Sequence, residues 1–161
     1  MFSLIITIVS IALVVALIAA TAYYGGDALS QGRNSADAAA YVTSAQQITA
    51  AALMRISNGD PAPTQLSDLT DDNLLSAVPN VKSRVAGTND WTFDNGTPRM
   101  VTINLAGTPA GNQKLCEQIN KNAGATGMDS TTGTVASITN YTYGCVPGAD
   151  SSSPQVFQYK Y

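Results

Sequence analysis

Hydrophobic and polar positions divide this chain into unlike parts. No charged side chain occurs before Asp27, and residues 2–24 read FSLIITIVSIALVVALIAATAYY. A helix over that stretch is about 35 Å long at 1.5 Å per residue, enough to cross a bilayer core. The β-branched residues Ile5, Ile6, Ile8, Val9, Ile11, Val14 and Val15 are modest helix formers in water. In lipid, however, a single segment satisfies its backbone only as a helix. Ser3, Thr7 and Ser10 can return their hydroxyls to carbonyls one turn earlier, and Tyr23 and Tyr24 fall where an interfacial aromatic belt sits.

After Gly25-Gly26 the pattern narrows to one apolar stripe. Ala38, Tyr41/Val42, Ala45, Ile48, Ala52 and Leu53/Ile56 recur at three- and four-residue steps, with Arg33, Asp37, Gln46, Gln47 and Arg55 among the polar residues between them. That spacing predicts an amphipathic helix. Asn58-Gly59-Asp60-Pro61 supplies its stop. Each glycine of Gly25-Gly26 costs about 1 kcal/mol relative to alanine inside a helix, so a helix break or bend is expected at that pair. The division is therefore an apolar transmembrane helix over 1–26, an amphipathic half packed on the head over 27–58, and a globular head over 59–161.

Within the head, Pro61 to Pro79 reads as a polar connection holding a short helix from Ser67 to Ala77. Ser67 or Thr70 would cap it, with Asp68, Asp71 and Asp72 near its positive end. The same three aspartates fit the spacing of no Ca²⁺ loop, so capping is the preferred reading over a cation site. Asp90-Trp91-Thr92-Phe93 and Arg99 to Ala106 flank Asn95-Gly96, a hairpin signal. Gln113 to Ala123 reads as a helix carrying Cys116, and Val135 to Cys145 and Val156 to Tyr161 as two more strands. Trp91 is expected as a core anchor, and Tyr141, Tyr143, Tyr159 and Tyr161 alternate so that one strand face packs inward. The expected class is α+β: a long N-terminal hydrophobic and amphipathic helix with a C-terminal antiparallel sheet closed by one disulfide.

Charge and composition remove several functions. The formal net charge is −3, and among the eight Lys and Arg residues only Lys82 and Arg84 lie close together. A sequence-independent grip on nucleic acid needs clustered cations, and no specific nucleic-acid site is evident. There is no histidine, which removes the commonest metal ligand and the usual general base. No nucleophile-base pair, phosphate-cradling loop or paired-carboxylate signature emerges, and Gly124-Ala125-Thr126-Gly127 reads as a turn. The expectation is a protein that is not an enzyme and that uses neither cofactor nor metal. Cys116 and Cys145 form neither a metal-type nor a redox-type pair. The apolar N-terminus points to export and an oxidising compartment, which favours a bridge between them over two free thiols. Such a bridge is worth roughly 3 to 4 kcal/mol in the chain-entropy picture.

Three readings compete for the apolar segment. A cleavable signal finds an A-x-A-like site in Ala20-Thr21-Ala22, but the segment lacks a basic leader and is long for the purpose. A plain membrane anchor would be expected to carry Lys or Arg on its cytoplasmic flank, and no Lys or Arg stands between Met1 and the apolar run. A helix that waits in the membrane and then packs against its copies explains an apolar run beginning flush with Met1, and it is the favoured reading.

The layout resembles the type IV pilins, most closely the type IVb group. The resemblance rests on Phe2-Ser3-Leu4-Ile5, the long apolar stretch ending near Tyr23-Tyr24, the Ala/Ser/Gln-rich continuation and two cysteines in the C-terminal half. It spans the whole layout and is specific over residues 1–55. It implies a structural subunit that polymerises through its N-terminal helix into an extracellular pilus (fimbrium). Phe2, Leu4, Ile5, Ile6, Ile8, Val9, Ile11, Leu13, Val14 and Leu17 would form the filament core. Ala12, Ala16, Ala19 and Ala20 would let helices approach closely. Its partners would be its own copies, the pilus assembly machinery of the bacterial inner membrane, and that membrane before assembly. The contact would be heterologous and open-ended, as a fibre requires. At about 25 cal/mol per Å² it would contribute tens of kcal/mol before entropy is subtracted.

One departure stands out. The family usually carries a glutamate at the fifth mature position, thought to pair with a neighbour's N-terminal amine. Here Ile5 occupies that place, or Ile6 if Phe2 is the mature start, and no acidic residue occurs before Asp27. An unpaired buried amine is costly, so it would have to be neutralised, methylated or solvated otherwise. The family's short basic leader is also absent, either already removed or replaced by another maturation route. A secretion pseudopilin, a minor pilin and a monomeric membrane-anchored extracytoplasmic binding module are the alternatives. Adhesion, conjugation, motility, DNA uptake and phage attachment are equally compatible with the resemblance.

Overall fold

The structure, a computed structural model, describes residues 2–81, 91–105, 109–125, 138–147 and 155–161, with the backbone alone at residues 2, 24–28, 109–111 and 139. Helix α1 runs from Phe2 to Ser57. The expected break at Gly25-Gly26 is absent, because the backbone stays helical through both glycines. Their propensity cost is local, while established turns on either side extend the helix at one hydrogen bond per residue. The chain divides into two compact units, Met1–Asn34 and Ser35–Tyr161, which are described separately below.

In the second unit α1 ends as its sequence suggests. Gly59 adopts φ 95°, a left-handed conformation glycine tolerates without strain. The Gly59 N–H then donates to the Ile56 carbonyl at 3.0 Å and the Asp60 N–H to the Arg55 carbonyl at 3.2 Å, the Schellman arrangement. Helix α2 covers Leu66–Asp71, shorter than the expected Ser67–Ala77. Asn73, at φ 55°, takes the chain out of the right-handed helix.

The remaining elements are β1 (Thr92–Asp94), β2 (Met100–Asn104), α3 (Pro109–Asn122), a 3₁₀ turn at Ile138–Asn140, β3 (Tyr143–Val146) and β4 (Val156–Lys160). The strands form one antiparallel sheet in the order β1-β2-β4-β3. The α+β class expected from the sequence is therefore what the chain adopts. The strand expected over Val135 to Cys145 is mostly not one. Residues 135–137 lie outside the described residues. From Ile138 the chain turns locally, with the Tyr141 N–H donating to the Ile138 carbonyl at 2.8 Å, and pairing starts only at Tyr143.

Strands β1 and β2 pair as a hairpin, Phe93 opposite Val101. They are not joined by a two-residue turn at Asn95-Gly96, since residues 95–99 make a longer loop and neither Asn95 nor Gly96 has positive φ. Side chains organise this loop. Asp94 Oδ1 accepts from the Gly96 N–H at 2.9 Å, and Asn95 Nδ2 donates to the Pro63 carbonyl at 3.0 Å.

The core joins the α1 stripe to one face of the sheet. Ala38, Tyr41, Ala45, Ile48 and Ala52 are buried together with Val101, Ile103 and Phe157. The Phe157 ring is central, 5.7 Å from Tyr41, 6.1 Å from Trp91 and 6.3 Å from Tyr143 between centroids. Trp91 is thus the core anchor its sequence context suggested. Tyr143 and Tyr159, opposite one another in register, stack with their rings 6.0 Å apart.

Helix α3 is attached by a second stripe. Asn112, Cys116 and Asn120 follow one another at four-residue steps, all buried, beside buried Leu115 and Ile119. Cys116 is bonded to Cys145 of β3. Asn112 Nδ2 donates to the Leu105 carbonyl at 3.0 Å. Asn120 makes two bonds to Cys145: its Oδ1 accepts from the Cys145 N–H at 2.7 Å and its Nδ2 donates to the Cys145 carbonyl at 2.9 Å. Among the described strands β3 is an edge, and at Cys145 this amide occupies the backbone positions a further strand would use. The helix closes on Gly124 at φ 79° with a second Schellman arrangement.

Replacing Asn120 with Leu strands a buried N–H and a buried carbonyl, and is expected to lower unfolding free energy by about 2 to 4 kcal/mol. Urea unfolding in detergent, followed by Trp91 fluorescence, measures this. Replacing Cys116 and Cys145 together with Ser should cost about 3 to 4 kcal/mol by the same assay.

Candidate assembly surface

The first unit presents its apolar side chains to the outside. Ser3–Tyr23 form a 21-residue span of mean hydropathy 2.9, none of it buried. That length and composition are enough to cross a membrane, as either an anchor or a signal sequence. Exposure is nearly uniform around the helix, from 54% at Val14 to 66% at Leu4. Leu4, Ile5, Ile6, Ile8, Val9, Ile11, Leu13, Val14 and Leu17 all lie on this surface, and the backbone of Phe2 is helical at its start. Val15 and Ile18 are exposed to the same degree. They belong to the same surface, and the continuous apolar run was their signal.

The hydroxyls of Thr7, Ser10 and Thr21 bond back to the helix itself. The Thr7 hydroxyl donates to the Ser3 carbonyl at 2.6 Å and the Ser10 hydroxyl to the Ile6 carbonyl at 2.8 Å. Thr21 bonds the carbonyls of Leu17 and Ile18 in the same way. A hydroxyl that bonds its own helix can be taken out of water at little cost. Ser10, Ile11, Val14 and Val15 consequently line a shallow groove that is almost wholly apolar. Such a groove accepts the side-chain ridge of another helix. Tyr23, 80% exposed, ends the span.

The acidic residues after α1 make a different arrangement. The Asp68 carboxylate accepts from the backbone N–H of Thr64 at 2.8 Å and of Gln65 at 3.1 Å, and from the Thr64 hydroxyl at 3.2 Å. It thereby secures the start of α2, where Gln65 is the capping residue instead of Ser67 or Thr70. Arg55 reaches Asp68 at 3.6 Å and Asp72 at 3.3 Å. Two of the three aspartates thus face a cation already supplied by the chain. Among the described residues no group of three or more His, Cys, Asp or Glu is placed to hold a metal ion.

No protein-family model, curated protein or solved structure matches this chain.

The Thr64 and Gln65 backbone donors, helped by the Thr64 hydroxyl and Arg55, hold the Asp68 carboxyl below its ordinary value of 3.8 against the opposing effect of burial. Its contribution to stability is therefore complete above the unfolded value and is lost as pH falls through the lower folded value. Asp68→Ala is expected to cost about 1 kcal/mol near neutrality and to flatten the acid limb of the stability curve. Urea midpoints taken from neutral pH down into the acid limb give both results.

Proposed function

We propose that this chain is the structural subunit of a pilin-type filament, polymerising through residues 2–23 of α1 and displaying the disulfide-closed second unit outside the cell. The observation that carries this reading is the division of labour along one unbroken helix. From Phe2 to Ser57 α1 is a single element. Its first part exposes every large apolar side chain described there, while Ala38, Tyr41, Ala45, Ile48 and Ala52 are buried against the sheet. A plain anchor has no need to be continuous with the core of the domain it tethers. A filament subunit uses both parts of the one helix, the first to meet its copies and the second to hold its head. The Ser10–Val15 groove and the internally bonded hydroxyls suit close packing of copies.

Before assembly the span would reside in the inner membrane of the producing bacterium, and after assembly it would be shielded by its neighbours. The absence of any acidic residue before Asp27 favours a subunit whose N-terminal amine is not neutralised by a neighbour's carboxylate. That keeps a minor pilin or a secretion pseudopilin as the second reading.

Electron microscopy of filaments sheared from expressing cells, with intact-mass measurement of their subunit, tests the proposal. Helical fibres built of this chain are expected, whereas a detergent-extracted monomer that never polymerises would overturn it. Val14→Lys should abolish fibres while leaving the urea midpoint of the second unit unchanged. Scrambling the order of the apolar residues within 4–18 at constant composition should do the same. A membrane anchor would tolerate the scramble.

A further inference from the structure

We propose that Asn95 is a latent deamidation site, held closed by the fold of the second unit. Asn95 and Gly96 are both exposed in the loop after β1. Asparagine is among the thermolabile residues, and a following glycine, lacking Cβ, hinders ring closure least. In the reaction the Gly96 backbone nitrogen attacks Asn95 Cγ. A new C–N bond forms, the Cγ–Nδ2 bond breaks, and ammonia leaves with the proton given up by the Gly96 nitrogen. Water then opens the resulting succinimide at either carbonyl, leaving aspartate or isoaspartate.

Every atom this reaction needs free is engaged. The Gly96 N–H, whose proton must depart, donates to Asp94 Oδ1 at 2.9 Å, and a bond to a carboxylate is of the stronger kind. Asn95 Nδ2, the leaving group, donates to the Pro63 carbonyl at 3.0 Å, across 32 positions of sequence. Asn95 Oδ1 receives a longer bond from the Tyr161 hydroxyl at 3.4 Å, across 66 positions. Two of the three restraints are therefore tertiary, and they vanish when the loop separates from the Pro63 segment and from residue 161.

The change would also be irreversible. An aspartate at position 95 presents an acceptor, in place of a donor, to the Pro63 carbonyl, and it sets a second negative charge beside Asp94. An acceptor facing an acceptor forfeits the bond and adds a desolvation penalty. A molecule that has reacted there is thus chemically marked and prevented from closing in the same way.

The test incubates the full-length chain in detergent at mildly alkaline pH and follows conversion at residue 95 by peptide mapping, folded and in urea. The folded chain is expected to react at least about tenfold more slowly than the unfolded one, the factor that about one lost hydrogen bond represents. Asp94→Ala should raise the folded rate several-fold while leaving the urea rate nearly unchanged. Tyr161→Phe keeps the ring contact with Phe93, whose centroid is 6.3 Å away, and should raise the folded rate by a smaller factor. Equal folded and urea rates in the wild-type chain would overturn the proposal whatever the variants do. So would a folded Asp94→Ala protein that reacts no faster than wild type.

Discussion

The second unit depends on covering one narrow stripe of α1. Ala38, Ala45 and Ala52 recur every seven residues, with Tyr41 and Ile48 between them at the same period. The alanines let the sheet come close, and Tyr41 and Ile48 supply the bulk that reaches Phe157 and its neighbours. A fully buried side chain of that size contributes about 1.5 to 3 kcal/mol. The next place in the Tyr41–Ile48 series belongs to Arg55, whose side chain is 16% exposed and faces Asp68 and Asp72. The stripe therefore passes from apolar to ionic at the point where the helix stops, and the turn into α2 is fixed by charge where hydrophobic contact gives out.

Helix α3 meets the sheet on different terms. Its inward face sets an amide, a sulfur and another amide in line, Asn112, Cys116 and Asn120, against the backbone at Leu105 and the strand at Cys145. Covalent and hydrogen-bonded attachment here adds to the apolar contacts of Leu115 and Ile119. This suits a small unit, in which one hydrophobic core leaves only a slim margin of stability. The disulfide and the Asn120 pair act on the same residue, so the edge strand is held both by its side chain and by its main chain.

Much of this was legible in the sequence because it rests on periodicity. The apolar span, the stripe from Ala38 to Ala52, the stop at Gly59, the cysteine pair and the strands at Met100 and Val156 each leave a pattern of spacing or a glycine in a telling place. What escaped depended on side chains meeting backbone across long separations. The amides of Asn112 and Asn120 look like ordinary polar helix residues until Leu105 and Cys145 are known to lie beneath them. Asp94 and Asn95 displaced the tight turn that Asn95-Gly96 suggests, through contacts with Gly96 and Pro63 that spacing does not encode. At Gly25-Gly26 intrinsic propensity pointed to a break, and the helical turns on both sides carried the backbone through. The apolar span was legible as a whole, since a run that is apolar on every side is exposed on every side in a single copy.

The amide of Asn120 also limits how these molecules can associate. Exposed sheet edges are the usual route by which β-containing subunits join, each lending a strand to the next. At Cys145 the outward donor and acceptor of β3 are already occupied, so an incoming strand finds no backbone partner there. Growth of a continuous intermolecular sheet is closed off at that side. On that side, association has to draw its cohesion from side-chain surfaces in place of a shared ladder of backbone bonds.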